Sequence, residues 1–164
     1  MIFGMTTFTF VHVVISLVGI GSGLVVVYGF LTAKRLDVWT GIFLATTVLT
    51  SVTGFLLPFE HFMPSHAVGI LSLVVLAVAI LARYTLHLAG VWRPIYVVSA
   101  VIAFYLNVFV LIAQLFQKVP ALKEMAPTQS EPPFLITQSV FLALFVGIGI
   151  AAAIKFRNVP VRTV

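Results

Sequence analysis

Residues 8–31 read FTFVHVVISLVGIGSGLVVVYGFL and contain no Asp, Glu, Lys or Arg. An apolar run of this length can cross the roughly 30 Å hydrocarbon core of a bilayer as an α-helix. The run lacks the strict apolar–polar alternation of a strand in a membrane barrel. No Lys or Arg precedes it and no small-residue cleavage site follows it, so we do not expect a cleaved signal peptide. The run therefore predicts a membrane-spanning helix that stays in the mature protein.

Four similar apolar runs follow, and short segments that carry most of the charged residues separate them. The five predicted spans are residues 8–31, 38–59, 65–87, 94–117 and 134–154. The longest connection, 118–133, contains Pro120, Pro127, Pro132 and Pro133. This density of proline disfavours a long helix, so we expect an irregular cap over one end of the bundle. The predicted fold is a single all-α domain, residues 1–164: an integral membrane bundle of five transmembrane helices.

The composition supports the same class. Of 164 residues, 62% are apolar and only 8% are charged, and the mean hydropathy is +1.22. A soluble domain carries about 25% charged residues. These values exclude a soluble enzyme, a nucleic-acid-binding domain and a disordered regulator. The absence of cysteine excludes a disulfide framework and a thiolate metal site. We expect an integral membrane location, which would be the plasma membrane in a bacterium.

The distribution of Lys and Arg predicts the orientation. The net charge is +5, but the basic residues are spread over several loops and form no patch for nucleic acid. With the N-terminus outside, only Lys118 and Lys123 lie in outer segments. The inner segments then hold Lys34, Arg35, Arg83, Arg93, Lys155, Arg157 and Arg162. The positive-inside rule favours this N-out, C-in topology. We expect Arg83, at the end of the third span, to snorkel towards water.

One face of the first span carries His12, Ser16, Gly19 and Gly23, at helical spacings of four, three and four residues. The pair Gly19 and Gly23 forms a G-x-x-x-G pattern, which lets another helix approach closely. We therefore expect His12 to point into the bundle. The pattern is equally typical of a plain packing face.

The other polar residues within the spans are hydroxyls and amides. Span two carries Thr46, Thr47, Thr50, Ser51 and Thr53, and span four carries Asn107, Gln114 and Gln117. Such groups most often hydrogen-bond to their own helix or to a neighbouring one. We expect Asn107, near the middle of span four, to bond to another helix.

Three of the four histidines fall at one predicted membrane surface, because His61 lies between spans two and three, and His66, at the start of span three, is level with His12. His66 and Gly69 share one face of span three. His87 lies about 31 Å from His66 along a helix, which disfavours a pair of stacked haems. We expect His87 to be an interfacial residue without a role.

Three ligands suit this histidine cluster. Haem b requires two imidazoles on facing helices, here His12 and His66, with Gly19 and Gly69 giving clearance for the porphyrin. Copper prefers imidazole with thioether, which His12, His61, Met63 and His66 offer. A quinone head group requires a histidine and an amide or hydroxyl, such as Gln114. The alternative is that these are ordinary interfacial histidines.

The leading functional expectation is a non-enzymatic accessory or structural subunit of a larger membrane assembly, such as a respiratory one. It would act through contact with other membrane subunits or with copies of itself. The spans contain no nucleophile–base pair and no charged residue at depth, so an enzyme is not predicted. The alternative is a redox protein that binds one haem b, copper or a quinone at the histidine cluster. A third hypothesis is a small-solute transporter or channel along Thr50, Asn107 and Gln114.

Overall fold

The computed structural model describes residues 6–57 and 64–158, which form an all-helical bundle. Five of its helices are long and apolar enough to cross a membrane. The helices are α1 (Thr7–Leu31), α2 (Asp37–Phe55), α3 (Pro64–Ile80), α4 (Trp92–Lys118), α5 (Pro120–Met125) and α6 (Pro132–Lys155). A π-helical turn, Leu81–Thr85, extends α3, and a 3-10 turn, Phe156–Asn158, follows α6. This confirms the predicted all-α class and the five long apolar helices.

Prolines begin three of these helices, among them α3, whose first residue is Pro64. Pro120 opens α5, and Pro132 and Pro133 lie in the first turn of α6. Proline suits this position because the first helical N–H groups need no intrahelical acceptor and the ring presets the backbone angle. The prediction that 118–133 is irregular is therefore wrong in part, because the segment contains the short helix α5.

Two helix ends differ from the predicted spans. The second span was expected to reach residue 59, but α2 ends at Phe55. Leu57 precedes Pro58, and a residue before proline avoids the helical conformation. The third span was expected to reach residue 87, but its helical part ends at Thr85, and the next residues turn the chain through positive φ at His87 (51°) and Leu88 (57°).

Helix α4 lies at the centre of the bundle and contacts all the other helices. Its Phe104 ring packs edge-on against Phe43 of α2, at 6.1 Å between centroids, and against Phe145 of α6, at 5.1 Å. A Cβ at Gly23 of α1 would lie only 2.7 Å from the same ring. The G-x-x-x-G face therefore brings α1 close to α4.

The surface of the bundle is apolar. Large side chains such as Leu24, Val74 and Ile150 are exposed, whereas Ser22, Thr40 and Thr47 are buried. A protein that folds in water buries such apolar groups, and an apolar exterior is the usual surface of a helix bundle in lipid. This distribution supports the predicted membrane class.

We name the two ends of the bundle by their residues. The histidine end holds His12 and His66, and the arginine end holds Arg83, Asp37 and Tyr96. Within the described residues, α1 runs from the histidine end to the arginine end, and α2 returns. Neighbouring helices are therefore antiparallel, as their short connections predict.

Arg83 is buried, which contradicts the expectation that it snorkels. Its side chain is 4% exposed and bonds to the Asp37 carboxylate. It also donates to the Tyr96 hydroxyl at 3.3 Å, and its guanidinium stacks on the rings of Tyr84 and Tyr96 at 5.5 and 5.3 Å. Because its π-helical turn places it between the helices, the cation finds partners inside the bundle, and the interaction ties α2, α3 and α4 together.

Candidate functional site: a cavity at the histidine end

A cavity of about 440 Å³ lies at the histidine end, among α1, α2, α3 and α4. Its volume is roughly three times that of an engineered 150 Å³ cavity that binds benzene. Its walls are mainly apolar, and polar side chains from all four helices interrupt them. The polar lining residues are Thr9, His12, Ser16, Thr50, Ser51, His66, Ser72, Asn107, Gln114 and Lys118.

Helix α1 contributes His12, whose position α2 fixes. The Nδ1 atom of His12 lies 2.8 Å from Oγ1 of Thr53. The same Oγ1 atom donates to the Leu49 carbonyl oxygen, at 2.6 Å. The imidazole is therefore held against α2, where a Cβ at Gly54 would lie at an ordinary contact distance of 3.7 Å from its Cε1 atom.

Helix α3 contributes His66, which is 6% exposed. Its ring lies 5.7 Å from the ring of Phe55. A Cβ at Gly69 would lie 3.1 Å from the same Phe55 ring. Phe55 therefore fills the space beside Gly69 that the haem hypothesis reserved for a porphyrin.

Gly19 lies at the floor of the cavity without lining it. A Cβ at Gly19 would approach the Asn107 Nδ2 atom at 3.2 Å and the hydroxyls of Thr46 and Thr47 at 3.3 and 3.4 Å. The absence of a side chain at this glycine thus lets three polar groups converge near the middle of the bundle. No space for a large cofactor remains beside it.

Several polar groups at this floor lack a hydrogen-bond partner among the described residues. They are the Nδ2 atom of Asn107 and the Oγ1 atoms of Thr47 and Thr50. The expectation that Asn107 bonds to a neighbouring helix is therefore wrong for its amide nitrogen. Buried polar groups are usually satisfied, so unpaired ones beside a cavity indicate that something is to occupy it.

The opposite wall is better satisfied. Ser51 donates to the Thr47 carbonyl oxygen at 3.0 Å and lies 3.2 Å from the Ser72 hydroxyl across the α2–α3 contact. Leu17 and Leu115 also line the cavity and remain 52% and 42% exposed. The cavity therefore offers apolar surface that a bound molecule would cover.

Lys118, the first residue of the cap (residues 118–133), lines the cavity, and hydrogen bonds hold other residues of the cap in place. Gln129 donates from Nε2 to the Ala113 carbonyl oxygen at 2.7 Å and accepts from Gln117 at 3.3 Å. Glu131 accepts from the backbone N–H groups of Thr128 and Ser130, both at 3.1 Å. Partial desolvation raises the pKa of Glu131. These bonds and one from the Thr128 hydroxyl lower the pKa by a larger amount, so the net pKa lies below its ordinary value.

The structure brings together four of the five predicted cofactor-binding residues: His12, His66, Gly69 and Gln114 line one cavity. Their assignment as ligand-binding residues stays a prediction. His61 and Met63, proposed for copper, lie outside the described residues. Over 6–57 and 64–158, no three His, Cys, Asp or Glu side chains cluster as a metal site requires.

Sequence reasoning missed Thr53 as the partner of His12 and Ser72 as part of the site. Ser72 follows His66 and Gly69 at a spacing of three residues, so the helical period alone would have placed it on the same face. No local pattern signals the contact between Thr53 and His12, because 41 residues separate the two.

Comparison with known proteins adds no further constraint: no family model, no curated protein and no solved structure matches the chain.

Proposed function

We propose that this protein is an integral membrane protein that binds the head group of an isoprenoid quinone or quinol in the cavity at the histidine end. The observation that carries the proposal is a cavity of about 440 Å³ with mainly apolar walls and unpaired polar groups at its floor. Small-molecule sites have this character: they are largely apolar, with a few polar groups that orient the ligand.

The size and polarity of the cavity suit a single substituted ring with two oxygen atoms. A volume three times that of a benzene site accommodates the ring, its substituents and the first part of a tail. His12 and Gln114 lie on different helices, and Asn107 and Thr50 lie on the floor, so both oxygens of the ring would find partners. The exposed parts of Leu17 and Leu115 would contact the apolar tail.

Haem b suits this geometry less well. The clearance that a porphyrin requires beside Gly69 is taken by Phe55, and the clearance beside Gly19 is taken by Asn107, Thr46 and Thr47. Copper would need His61 and Met63. A quinone head group requires neither the space beside the two glycines nor the copper ligands His61 and Met63. We therefore favour a quinone among the three ligands.

The accessory-subunit role stays a prediction alongside this one, since a quinone-binding membrane subunit can belong to a larger assembly. The same holds for the N-out, C-in orientation, which would place the cavity in the outer leaflet. A transport path along Thr50, Asn107 and Gln114 would have to pass the packed rings of Phe43 and Phe104, which lie beyond the cavity floor.

The test is to purify the protein from membranes in mild detergent, extract it with organic solvent and quantify quinones by chromatography. The variant Ser16→Phe places a ring in the cavity. Leu24→Phe, two turns away on the exposed face of α1, is the matched control. We expect near-stoichiometric quinone with the wild type and the control, and at least a fivefold loss with Ser16→Phe.

Two results would overturn the proposal. One is quinone at background level in the wild type. The other is equal quinone in all three proteins, which would indicate detergent-bound lipid. A visible spectrum of the same sample, oxidised and then reduced, would detect haem as an α band, and such a band would replace this proposal with the haem hypothesis.

A further inference from the structure

Building on the proposed function, we infer that the cavity selects the reduced head group, the quinol, over the oxidised quinone. The discriminating group is His12, which the hydrogen bonds of α2 hold in one tautomer. A ring hydroxyl can donate a proton to this imidazole in a hydrogen bond, whereas a ring carbonyl cannot.

The tautomer follows from the position of one proton. The Oγ1 atom of Thr53 and the carbonyl oxygen of Leu49 are 2.6 Å apart. The same Oγ1 atom lies 3.3 Å from the Thr50 carbonyl oxygen. Carbonyl oxygens carry no proton, so we infer that the Thr53 hydroxyl donates its proton to one of these two oxygens. At 2.8 Å from His12 Nδ1, Oγ1 can then only accept, and Nδ1 must carry the proton.

A neutral imidazole that carries its proton on Nδ1 has a lone pair on Nε2. His12 lines the cavity and makes no second hydrogen bond within the part of the chain that the structure describes. Its Nε2 atom is therefore the acceptor that this residue offers to an occupant. The function of Thr53 is one of positioning, because it acts through His12.

Four other polar side chains of the cavity do not discriminate in this way. The amides of Asn107 and Gln114 make no hydrogen bond that fixes which end faces the cavity, and the hydroxyl of Thr50 can donate or accept. Lys118 is donor-only, but it is exposed and can turn to water. Of these five side chains, only His12 has a hydrogen bond that determines which of its atoms accepts.

A quinol oxygen carries a proton and satisfies Nε2. A quinone oxygen has no proton to donate. Its lone pairs would repel the lone pair of Nε2, or Nε2 would remain without a hydrogen bond. The loss of one hydrogen bond in a water-poor site corresponds to about a tenfold change in the dissociation constant. We therefore expect the quinol to bind about tenfold more tightly than the quinone.

The experiment measures the binding of three water-compatible probes to the purified protein, freed of co-purified quinone, in detergent, under argon, by equilibrium dialysis. The probes are tetramethylhydroquinone, tetramethylbenzoquinone and the dimethyl ether of the hydroquinone. The ether keeps the ring and both oxygens but has no proton to donate. We expect the hydroquinone to bind about tenfold more tightly than the other two.

Thr53→Val removes the hydroxyl that fixes the tautomer, so His12 can place its proton on either nitrogen. We expect the preference for the hydroquinone to fall to within twofold while the quinone still binds. Thr46→Val is the matched control, because the Thr46 hydroxyl makes the same bond one turn back, to Ile42 at 2.6 Å, without contacting a histidine. It should keep the tenfold preference.

The outcomes distinguish a failure of the proposed binding site from a failure of its selectivity for the quinol. If none of the probes binds, the proposed function fails and the selectivity fails with it. If all three bind equally to the wild type, the cavity binds such rings but the selectivity is refuted. A tenfold preference that survives Thr53→Val would also refute it, because some other group would then select the hydroxyl.

Discussion

The two ends of the bundle differ in how their buried polar side chains are surrounded. At the arginine end, Arg83 is surrounded by Asp37, Tyr84 and Tyr96. At the histidine end, a cavity of about 440 Å³ separates the helices, and Asn107 and Thr50 carry atoms without partners.

This difference indicates two functions. A buried cation with its partners in place ties three helices together. Unpaired polar atoms beside a cavity are a cost to the folded protein that a ligand can remove. We therefore propose structural support at the arginine end and binding at the histidine end.

The largest effect is expected at the arginine end. Asp37→Asn leaves the buried Arg83 without its carboxylate. Breaking a buried ion pair costs about 3–5 kcal/mol. Because the Asp37 side chain is 58% exposed, we expect about 2 kcal/mol, after allowing for solvent screening. Thermal unfolding in detergent would measure the loss.

Two further variants make this prediction specific. Arg35 also lies near Asp37, at 3.4 Å, but its side chain is 27% exposed against 4% for Arg83, so Arg35→Gln should cost less than about 1 kcal/mol. Adding Arg83→Met to Asp37→Asn should recover most of the stability, since no uncompensated cation remains. If Arg35→Gln proved as harmful as Asp37→Asn, the importance of Arg83 would be refuted.

The next effect concerns the centre of the bundle. A methyl group at Gly23 would lie 2.7 Å from the Phe104 ring, whereas a methyl group at Gly21 would meet nothing within 4 Å. Overpacking typically costs about 1–3 kcal/mol. We expect Gly23→Ala to lower the unfolding midpoint and Gly21→Ala to leave it unchanged. Equal midpoints for the two variants would show that α1 does not approach α4 this closely.

These two regions also show how far the sequence determines the fold. Apolar runs bounded by charges predict five long helices because each helix satisfies its own backbone, so no distant residue is needed. The partners of Arg83 were not predictable in this way. Its neighbour Asp37 lies 46 residues earlier, and the π-helical turn that directs Arg83 inward has no sequence signature.

The site was predictable to a similar degree. Helical periodicity placed His12 on an inward face of span one and His66 with Gly69 on one face of span three, and in the structure these residues and Gln114 line one cavity. The sequence does not show whether the space beside a glycine stays empty or is filled by a side chain of another helix. Here Asn107 fills the space beside Gly19, and Phe55 fills the space beside Gly69. The cavity therefore lies beside the glycines and not over them.

A smaller effect of opposite sign is expected at the floor of the cavity. Asn107→Leu removes an amide whose nitrogen has no partner and replaces it with an apolar group of similar size. An unsatisfied buried donor costs about 1–3 kcal/mol. We expect the ligand-free protein to gain up to about 1 kcal/mol in thermal unfolding. A clear loss of stability would mean that the amide is already satisfied and needs no ligand.

The smallest effect concerns the cap. The hydrogen bonds that lower the pKa of Glu131 favour its ionised form in the folded state. Its contribution is therefore present above the unfolded pKa of about 4.3 and is lost as the pH falls through the lower folded value. Amide exchange at Thr128 and Ser130 should be faster in Glu131→Gln than in the wild type near neutral pH. The difference should vanish in acid, and a difference that persisted there would contradict this assignment.

The most direct test of the central claim is the thermal unfolding of the wild type and Ser16→Phe, both freed of co-purified quinone, with increasing tetramethylhydroquinone. A ligand that binds only the folded state stabilises it by about 2.7 kcal/mol at one hundred times its dissociation constant. We predict a midpoint that rises with ligand concentration in the wild type and stays constant in Ser16→Phe. A constant midpoint in the wild type, or an equal rise in both proteins, would contradict the assignment of binding to the histidine end.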